Sequence, residues 1–156
     1  RLENPIGTLI EQGVPYGVAV GNHDQSALGN PNGTTTFYNR YFGEAHFIGH
    51  SYYGGHYGTN NDNHYELFGA SGLDFIALHL EYDPAADTNV LHWANQLLQT
   101  HPDRRAIVIS HYLMEQGNGG AFGTQGRATY VMEFSHYDVI PEKVSNSIIS
   151  NVGGIF

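Results

Sequence analysis

The sequence contains no cysteine and a single lysine, Lys143. The absence of cysteine excludes disulfide bonds, thiolate zinc sites and a cysteine nucleophile. Only 6 residues are Lys or Arg, against 15 Asp or Glu, and the formal net charge is -9. Because nucleic-acid backbones are bound by clustered basic side chains, we expect no nucleic-acid partner. No apolar run approaches the roughly 18 residues of a membrane-spanning helix, so we expect no membrane partner.

The residues that are abundant are small, aromatic or weakly basic: 20 Gly, 11 Tyr and 10 His among 156 residues. Sparse charge together with many Gly, Tyr, Asn and Thr is typical of exported proteins, and we predict an extracellular or periplasmic location. The length is sufficient for one domain with its own core. The sequence starts abruptly at RLENPIG, and we expect residues 1–156 to be the central part of a longer single domain.

Hydrophobic patterning predicts strands separated by one clear helix and by long loops. The predicted elements are a buried strand at 15–20, a hairpin with strands near 66–69 and 74–82 around Ala70-Ser71-Gly72, a helix over 87–100 capped by Asp87 or Thr88, and a buried strand at 105–110. In the second hairpin strand, alternation places Phe75, Ala77, His79 and Glu81 on one face and Ile76, Leu78, Leu80 and Tyr82 on the other. This pattern predicts an α/β or α+β fold.

The remaining segments are predicted mainly from turn-forming composition. Residues 25–36 are expected to form turns, 37–47 an aromatic irregular stretch, 49–64 a loop rich in Gly, Tyr, Asn and His, and 115–128 a Gly-rich loop. EKVSNSIIS at 142–150 can be helical, and NVGGIF at 151–156 resembles the start of another strand.

Polar residues with metal and acid–base chemistry follow two of the predicted strands. Gly21-Asn22-His23-Asp24 follows the first, and His111 follows the strand at 105–110. Ligand sites of α/β sheets lie at the carboxyl ends of strands, so the two groups are expected to meet. Asn22 offers an amide oxygen and His111 an imidazole nitrogen to a divalent metal. His23 can act as an acid or base, and Asp24 can hold its ring and raise its pKa.

Three segments, taken in order and with their spacing, resemble the calcineurin-like metallophosphoesterases, and most closely the secreted bacterial members. These segments are GVPYGVAVGNHD, FIALHLEYDP and VLHWANQLLQTHPDRRAIVISHYL, and the resemblance covers roughly residues 13–115. It implies a four-layer α/β/β/α sandwich, of which this chain would be the central part. It also implies two divalent metal ions, such as Zn, Fe or Mn, and hydrolysis of a small phosphate ester.

The resemblance also assigns roles to individual residues. Asn22 would bridge to the second metal, His111 would ligate the same metal, His23 would protonate the leaving oxygen, and Asp24 would orient His23. The family has Asp-x-His and Gly-Asp motifs before GNHD and a Gly-His-x-His motif near its end. This sequence has none of the three, and neither His101 nor the SHYD at 135–138 matches the last one. The resemblance therefore accounts for only part of the ligand set.

The other histidines are predicted to have structural or surface roles. We expect the four in the Gly/Tyr-rich region to be surface loop histidines: His46, His50, His56 and His64. His79 lies inside a predicted strand and is expected in the core. The aromatic residues at 37–53 are interpreted as core and loop anchors rather than a sugar platform.

Two alternatives to catalysis remain at this point. The incomplete ligand set and the acidic, Tyr/Gly/Asn-rich composition are also compatible with a non-catalytic metallophosphoesterase-like module that serves structure or assembly. A calcium-dependent carbohydrate-binding domain rests only on Asn- and Asp-rich loops such as TNNDNH at 59–64.

Overall fold

The computed structural model describes Leu9, residues 12–117 and residues 120–134. Its helices and strands are, in chain order, α1 (Thr36–Phe42), α2 (Glu44–Phe47), β1 (Tyr53–His56), β2 (His64–Ala70), β3 (Leu73–Leu80), α3 (Thr88–Thr100), β4 (Arg105–Ser110) and α4 (Thr124–Phe134). The helix predicted over 142–150, the strand predicted from 151 and the SHYD segment lie outside the described residues.

The four strands form one sheet in the order β1-β2-β3-β4. The β1–β2 and β2–β3 pairs are antiparallel, whereas β3 and β4 are parallel and are connected through α3. A parallel pair needs a long crossover, which α3 supplies. The mixed fold of helices and strands that the sequence predicts is therefore confirmed.

The hairpin predicted between residues 66 and 82 is present as β2 and β3. Its two-residue turn consists of Ser71 and Gly72, which have φ angles of 53° and 76°. Positive φ at both central residues is the geometry that matches the twist of a tight antiparallel hairpin. Strand β2 begins at His64, earlier than predicted, and this places His64 directly opposite His79.

The predicted helix over 87–100 is confirmed as α3. The Asp87 side chain caps its first turn by accepting a hydrogen bond of 2.8 Å from the backbone N–H of Asn89. One face of α3 packs on one face of the sheet, and burial of apolar area is the main force that holds the two together. The fully or almost fully buried side chains of this core are Ile76, Leu78, Leu80, Leu91, Ala94, Leu98 and Val108.

Residues 15–20, which were predicted as a buried strand, form no strand in the described part of the chain, and this prediction is wrong. The segment meets the end of β3 through a hydrogen bond of 2.9 Å from the Tyr82 N–H to the Val20 carbonyl. The Val18 carbonyl accepts from the Tyr38 hydroxyl instead of from a neighbouring strand. Farther back, Gly17 packs on Glu66 and His79, so the segment lies across the sheet face.

The aromatic stretch at 37–47 forms α1 and α2, so the predicted irregular structure is wrong there. Tyr38 and Phe47 are buried, and Phe47 stacks on Tyr53 and His64. Tertiary packing of these rings fixes helical turns that local composition did not indicate. The prediction that this region supplies core anchors is confirmed for Tyr38, Phe47 and Tyr52.

Two further loop predictions are wrong in part. The loop predicted over 49–64 contains β1, and the Gly-rich loop predicted over 115–128 gives way to α4 from Thr124. The first turn of α4 is stabilised by Gln125, whose side chain is buried and bonds to the Ser110 hydroxyl and the Glu81 carbonyl. These hydrogen bonds link distant parts of the sequence, which is why local composition failed to predict the helix.

No helix of the described residues combines the length and the apolar character that crossing a bilayer requires.

Candidate functional site

The Gly-Asn-His-Asp segment forms a closed turn. One carboxylate oxygen of Asp24 accepts a hydrogen bond of 2.9 Å from the Gly21 N–H, and the Asp24 N–H donates to the Gly21 carbonyl at 3.1 Å. The Asn22 carbonyl accepts from the Gly29 N–H at 2.8 Å. Asp24 thus holds its own turn in shape, while His23 is exposed. Orientation of His23 by Asp24 stays a prediction.

His111 lies against this turn. It follows β4 directly, and a Cβ atom placed on Gly21 would lie 3.6 Å from the Cγ of His111. Such a separation is ordinary van der Waals contact, so the turn backbone and the imidazole ring are neighbours. The ring also packs on Tyr82, with centroids 5.9 Å apart. The structure therefore brings the two predicted groups, the Gly-Asn-His-Asp turn and His111, to one edge of the fold.

A carboxyl group outside the predicted site lies near this turn. Glu81 accepts hydrogen bonds from the Asn63 and Gln25 amides at 2.9 and 3.2 Å. Burial raises the pKa of Glu81 to about 7, although these two bonds act in the opposite direction. Gln25 also donates to the Tyr82 carbonyl at 2.7 Å and so anchors the turn to the end of β3. Glu81 follows β3 directly, and the alternation of that strand does not indicate its role.

The donor chemistry of this edge fits part of a metal site. Asn22 and His111 are both half-buried and carry an amide oxygen and an imidazole nitrogen. Divalent Zn, Fe and Mn accept both donor types. Two donors do not complete a coordination sphere, so further ligands are needed to hold a metal here.

A second group of metal-ligating side chains lies on the β2–β3 face that α3 does not cover. His64 and Glu66 are two residues apart on β2, and His79 is the cross-strand neighbour of His64. Residues i and i+2 of a strand share a face, so the pairing register alone assembles this His64–Glu66–His79 cluster. The three side chains are 0%, 2% and 5% exposed. Their ligand atoms all lie within 4.8 Å of one another, so the cluster could hold a metal ion.

The contacts inside the cluster are short but poorly aligned for hydrogen bonding. Nε2 of His64 lies 3.3 Å and Nε2 of His79 lies 2.9 Å from the two carboxylate oxygens of Glu66. Nevertheless, Nε2 of His64, both Glu66 oxygens and Nδ1 of His79 have no hydrogen-bond partner among the described residues. Buried polar atoms are normally satisfied, so this group needs an explanation.

The ionisation of the cluster follows from its burial. Burial lowers the pKa of His64, because a buried imidazole loses hydration when it is charged. Burial would raise the pKa of Glu66, but the two imidazoles outweigh it and hold the pKa of that carboxyl below its ordinary value.

A cavity of about 240 Å³ borders the cluster. Glu66 and His79 form part of its wall, and the rest is formed by Pro15, Tyr16, Gly17, Phe68, Ala77, Ile107 and Ile109. Gly17 is required for this arrangement, since a Cβ there would lie 2.6 Å from Glu66 Oε1 and also meet His79 Nε2. The cavity can hold several water molecules or a small ligand beside the cluster.

The histidine predictions have mixed outcomes. His79 is buried, as predicted. His64 is fully buried in β2, so its prediction as a surface loop residue is wrong. His46 and His56 are half-buried within α2 and β1 rather than in surface loops. The pairing register of the hairpin could have predicted the burial of His64. Alternation places His79 on one face of β3, and its partner on β2, His64, lies on the same face.

Comparison with known proteins finds a bacterial relative. The chain is 38% identical over 122 residues to a protein of Bacillus subtilis (strain 168) named "Uncharacterized protein YvnB". The match covers 78% of this chain, but the chain spans only about 9% of the length of that relative. No family model matches the chain. No solved structure matches it significantly.

Proposed function

We propose that this chain forms part of a metal-dependent phosphoester hydrolase similar to the calcineurin-like metallophosphoesterases. The observation that supports this proposal is the contact between the Gly-Asn-His-Asp turn and His111, in which Gly21 approaches the imidazole ring. The two motifs are about 90 residues apart in sequence, and nothing in the composition of either requires them to meet. Their juxtaposition is the arrangement that a shared site needs.

In this proposal Asn22 and His111 would hold one of two divalent metals, with other ligands from outside the described residues. When bound, the metals supply positive charge that stabilises the phosphate in the transition state and lower the pKa of the attacking water. His23 holds a proton for the departing ester oxygen, and its exposed position allows a substrate to reach it. Asp24 fixes the turn that carries His23.

The proposal extends to the fold, the substrate and the location. A four-layer α/β/β/α sandwich would cover the sheet face that carries Phe75, Ile107 and Ile109, all of which are only half-buried. The substrate would be a small phosphate ester, whose negative charge is offset by the metals rather than by basic side chains. Secretion to the periplasm or exterior of a bacterium is consistent with the absence of cysteine and the near absence of lysine.

The direct test is hydrolysis of chromogenic phosphate mono- and diesters by the purified full-length protein that contains this chain, with Zn²⁺, Mn²⁺ or Fe²⁺ added and with chelator. Metal-dependent turnover that the chelator abolishes is the expected result. No turnover of either ester class with any of these metals would overturn the proposal and favour a non-catalytic structural or assembly module.

A further inference from the structure

We propose that His64, Glu66 and His79 bind one divalent metal ion of the zinc type, using none of the residues of the Gly-Asn-His-Asp turn or His111. The proposal is independent of the phosphoester hydrolysis proposed above. It rests on the donor set, on the orientation of His64 and on the distances within the cluster.

The orientation of His64 leaves a lone pair directed at the cluster. Its Nδ1 lies 2.8 Å from the Asn61 carbonyl oxygen, and a carbonyl can only accept a hydrogen bond. Nδ1 therefore carries the proton, and Nε2 of the neutral ring is an acceptor. A ligating histidine typically donates its other ring N–H to a backbone carbonyl in this way, which fixes the ring and its tautomer.

Nε2 of His64 faces a second acceptor at short range. It lies 3.3 Å from Glu66 Oε1, and both atoms are buried and have no hydrogen-bond partner among the described residues. Two buried acceptors that face each other without a donor are unfavourable. A cation between them satisfies both, and Nε2 of His79, 2.9 Å from Glu66 Oε2, offers a third donor atom.

The two distances from Glu66 suit a small divalent ion, and because the imidazole planes are parallel to within 6°, one ring must turn about its Cβ–Cγ bond for both Nε2 lone pairs to point at the same ion. Ligands at about 2.0–2.1 Å in tetrahedral geometry are separated from one another by roughly 3.3 Å. The two contacts of Glu66 with the imidazoles, 3.3 and 2.9 Å, bracket that value. Two imidazoles and one carboxylate are a ligand set that zinc uses in proteins, with a fourth position left for water. The adjoining cavity, which Glu66 and His79 line, provides room for that water.

The site would stabilise the fold because its ligands come from two strands. His64 and Glu66 belong to β2 and His79 to β3, while Gly17 of the segment at 15–20 packs on top. Metal binding to a site that exists only in the folded chain adds its binding free energy to folding. Removal of the metal is therefore expected to lower the melting temperature.

The test compares metal content and thermal stability in purified, untagged protein equilibrated with Zn²⁺ and then freed of excess metal. Wild type is expected to retain one more zinc ion per chain than His64→Asn. His92→Asn, at an exposed helix position, is the matched control and should equal wild type. Chelation should lower the melting temperature of wild type and of the control, but not that of His64→Asn.

If His64→Asn does not fold, Glu66→Gln replaces it, because glutamine keeps the volume and one acceptor oxygen. A zinc content equal to that of wild type in the folded variant would overturn the proposal. A second result would also overturn it. X-ray absorption of the zinc-loaded His111→Asn protein, which lacks the proposed ligand beside the Gly-Asn-His-Asp turn, would then show no zinc bound by two imidazoles and an oxygen. In that case a shared proton, rather than a metal, joins His64 to Glu66.

Discussion

His64 and His79 stack face to face across the β2–β3 ladder, with ring centroids 4.6 Å apart and ring planes 6° from parallel. Both rings are buried, and Glu66 contacts both through its two carboxylate oxygens. These three polar or charged side chains share a sheet face with Phe68, Phe75, Ile107 and Ile109. Such a group is costly to bury unless its members satisfy one another or share an ion.

The close approach of Gly17 to this cluster predicts a large effect of a single methyl group. In Gly17→Ala the new Cβ would overlap Glu66 Oε1 and His79 Nε2, both of which are buried. Overpacking of this kind costs about 1–3 kcal/mol, and thermal or urea unfolding measures it. Gly69→Ala is the matched control, because its nearest neighbour is the Asp74 side chain at 3.3 Å on an exposed edge. Equal stability of the two variants would contradict the packing of residue 17 on the cluster.

Removal of a side chain from the core between α3 and the sheet should lower the free energy of unfolding. Leu78 is 0% exposed and belongs to the core cluster. Leu78→Ala removes apolar contacts and leaves a cavity, so the free energy of unfolding should fall by about 2–5 kcal/mol. Leu28, which is 66% exposed, is the control, and Leu28→Ala should change stability by less than about 0.5 kcal/mol. A loss under about 1 kcal/mol for Leu78→Ala would show that β3 does not face α3.

Loss of the N-terminal cap of α3 should lower the free energy of unfolding less than loss of a core side chain does. The Asp87 carboxylate accepts the backbone N–H of Asn89 at 2.8 Å. Asp87→Ala leaves that donor without its cap and should destabilise the protein by about 1 kcal/mol, seen as a lower denaturant midpoint with an unchanged slope. Asp87→Asn keeps an acceptor oxygen and should lose much less. A loss as large in Asp87→Asn as in Asp87→Ala would argue against capping as the cause.

The parts of the fold that could be predicted from sequence are those encoded by local periodicity. Alternation along 74–82 gave β3 and its faces, helical spacing of Leu91, Ala94 and Leu98 gave α3, and the apolar run at 105–110 gave β4. Ser71-Gly72 gave the tight turn. In each case the signal that determines the element lies within about 15 residues of it.

The parts that could not be predicted depend on contacts between distant residues. Tyr38 and Phe47 form helical turns because their rings pack on the 15–20 segment and on β1. Helix α4 begins where Gln125 bonds to Ser110 of β4 and to Glu81, the residue after β3. The segment at 15–20 looked like a strand because it is apolar, yet its carbonyls bond mainly outside a ladder. His64 was misplaced for the same reason, since its burial follows from pairing with His79.

At the proposed catalytic edge the sequence predicts which segments meet but not what surrounds them. The turn at Gly21 and the ring of His111 lie together as predicted, although the segment before the turn is not a strand. Glu81 and Gln25, which anchor the turn, were not selected because neither lies in a recognisable motif.

Loss of the proposed metal ligand should change the response to metal. His111→Asn removes the imidazole beside the turn, so a higher concentration of Zn²⁺ or Mn²⁺ should be needed for half-maximal hydrolysis, by roughly tenfold or more. His101→Asn, at the end of α3, is a control that should leave the metal requirement unchanged. The same metal requirement in His111→Asn and wild type would remove His111 from the ligand set.

The central claim is that the Gly-Asn-His-Asp turn belongs to a phosphoester hydrolase, and the most direct measurement is kcat for a chromogenic phosphate ester in His23→Ala. General acid catalysis contributes a factor of about 10² to 10⁴, so kcat should fall by that factor while circular dichroism and melting temperature stay unchanged. His92→Ala, at an exposed position of α3, should retain the wild-type kcat. Hydrolysis by His23→Ala at the wild-type rate would contradict the account.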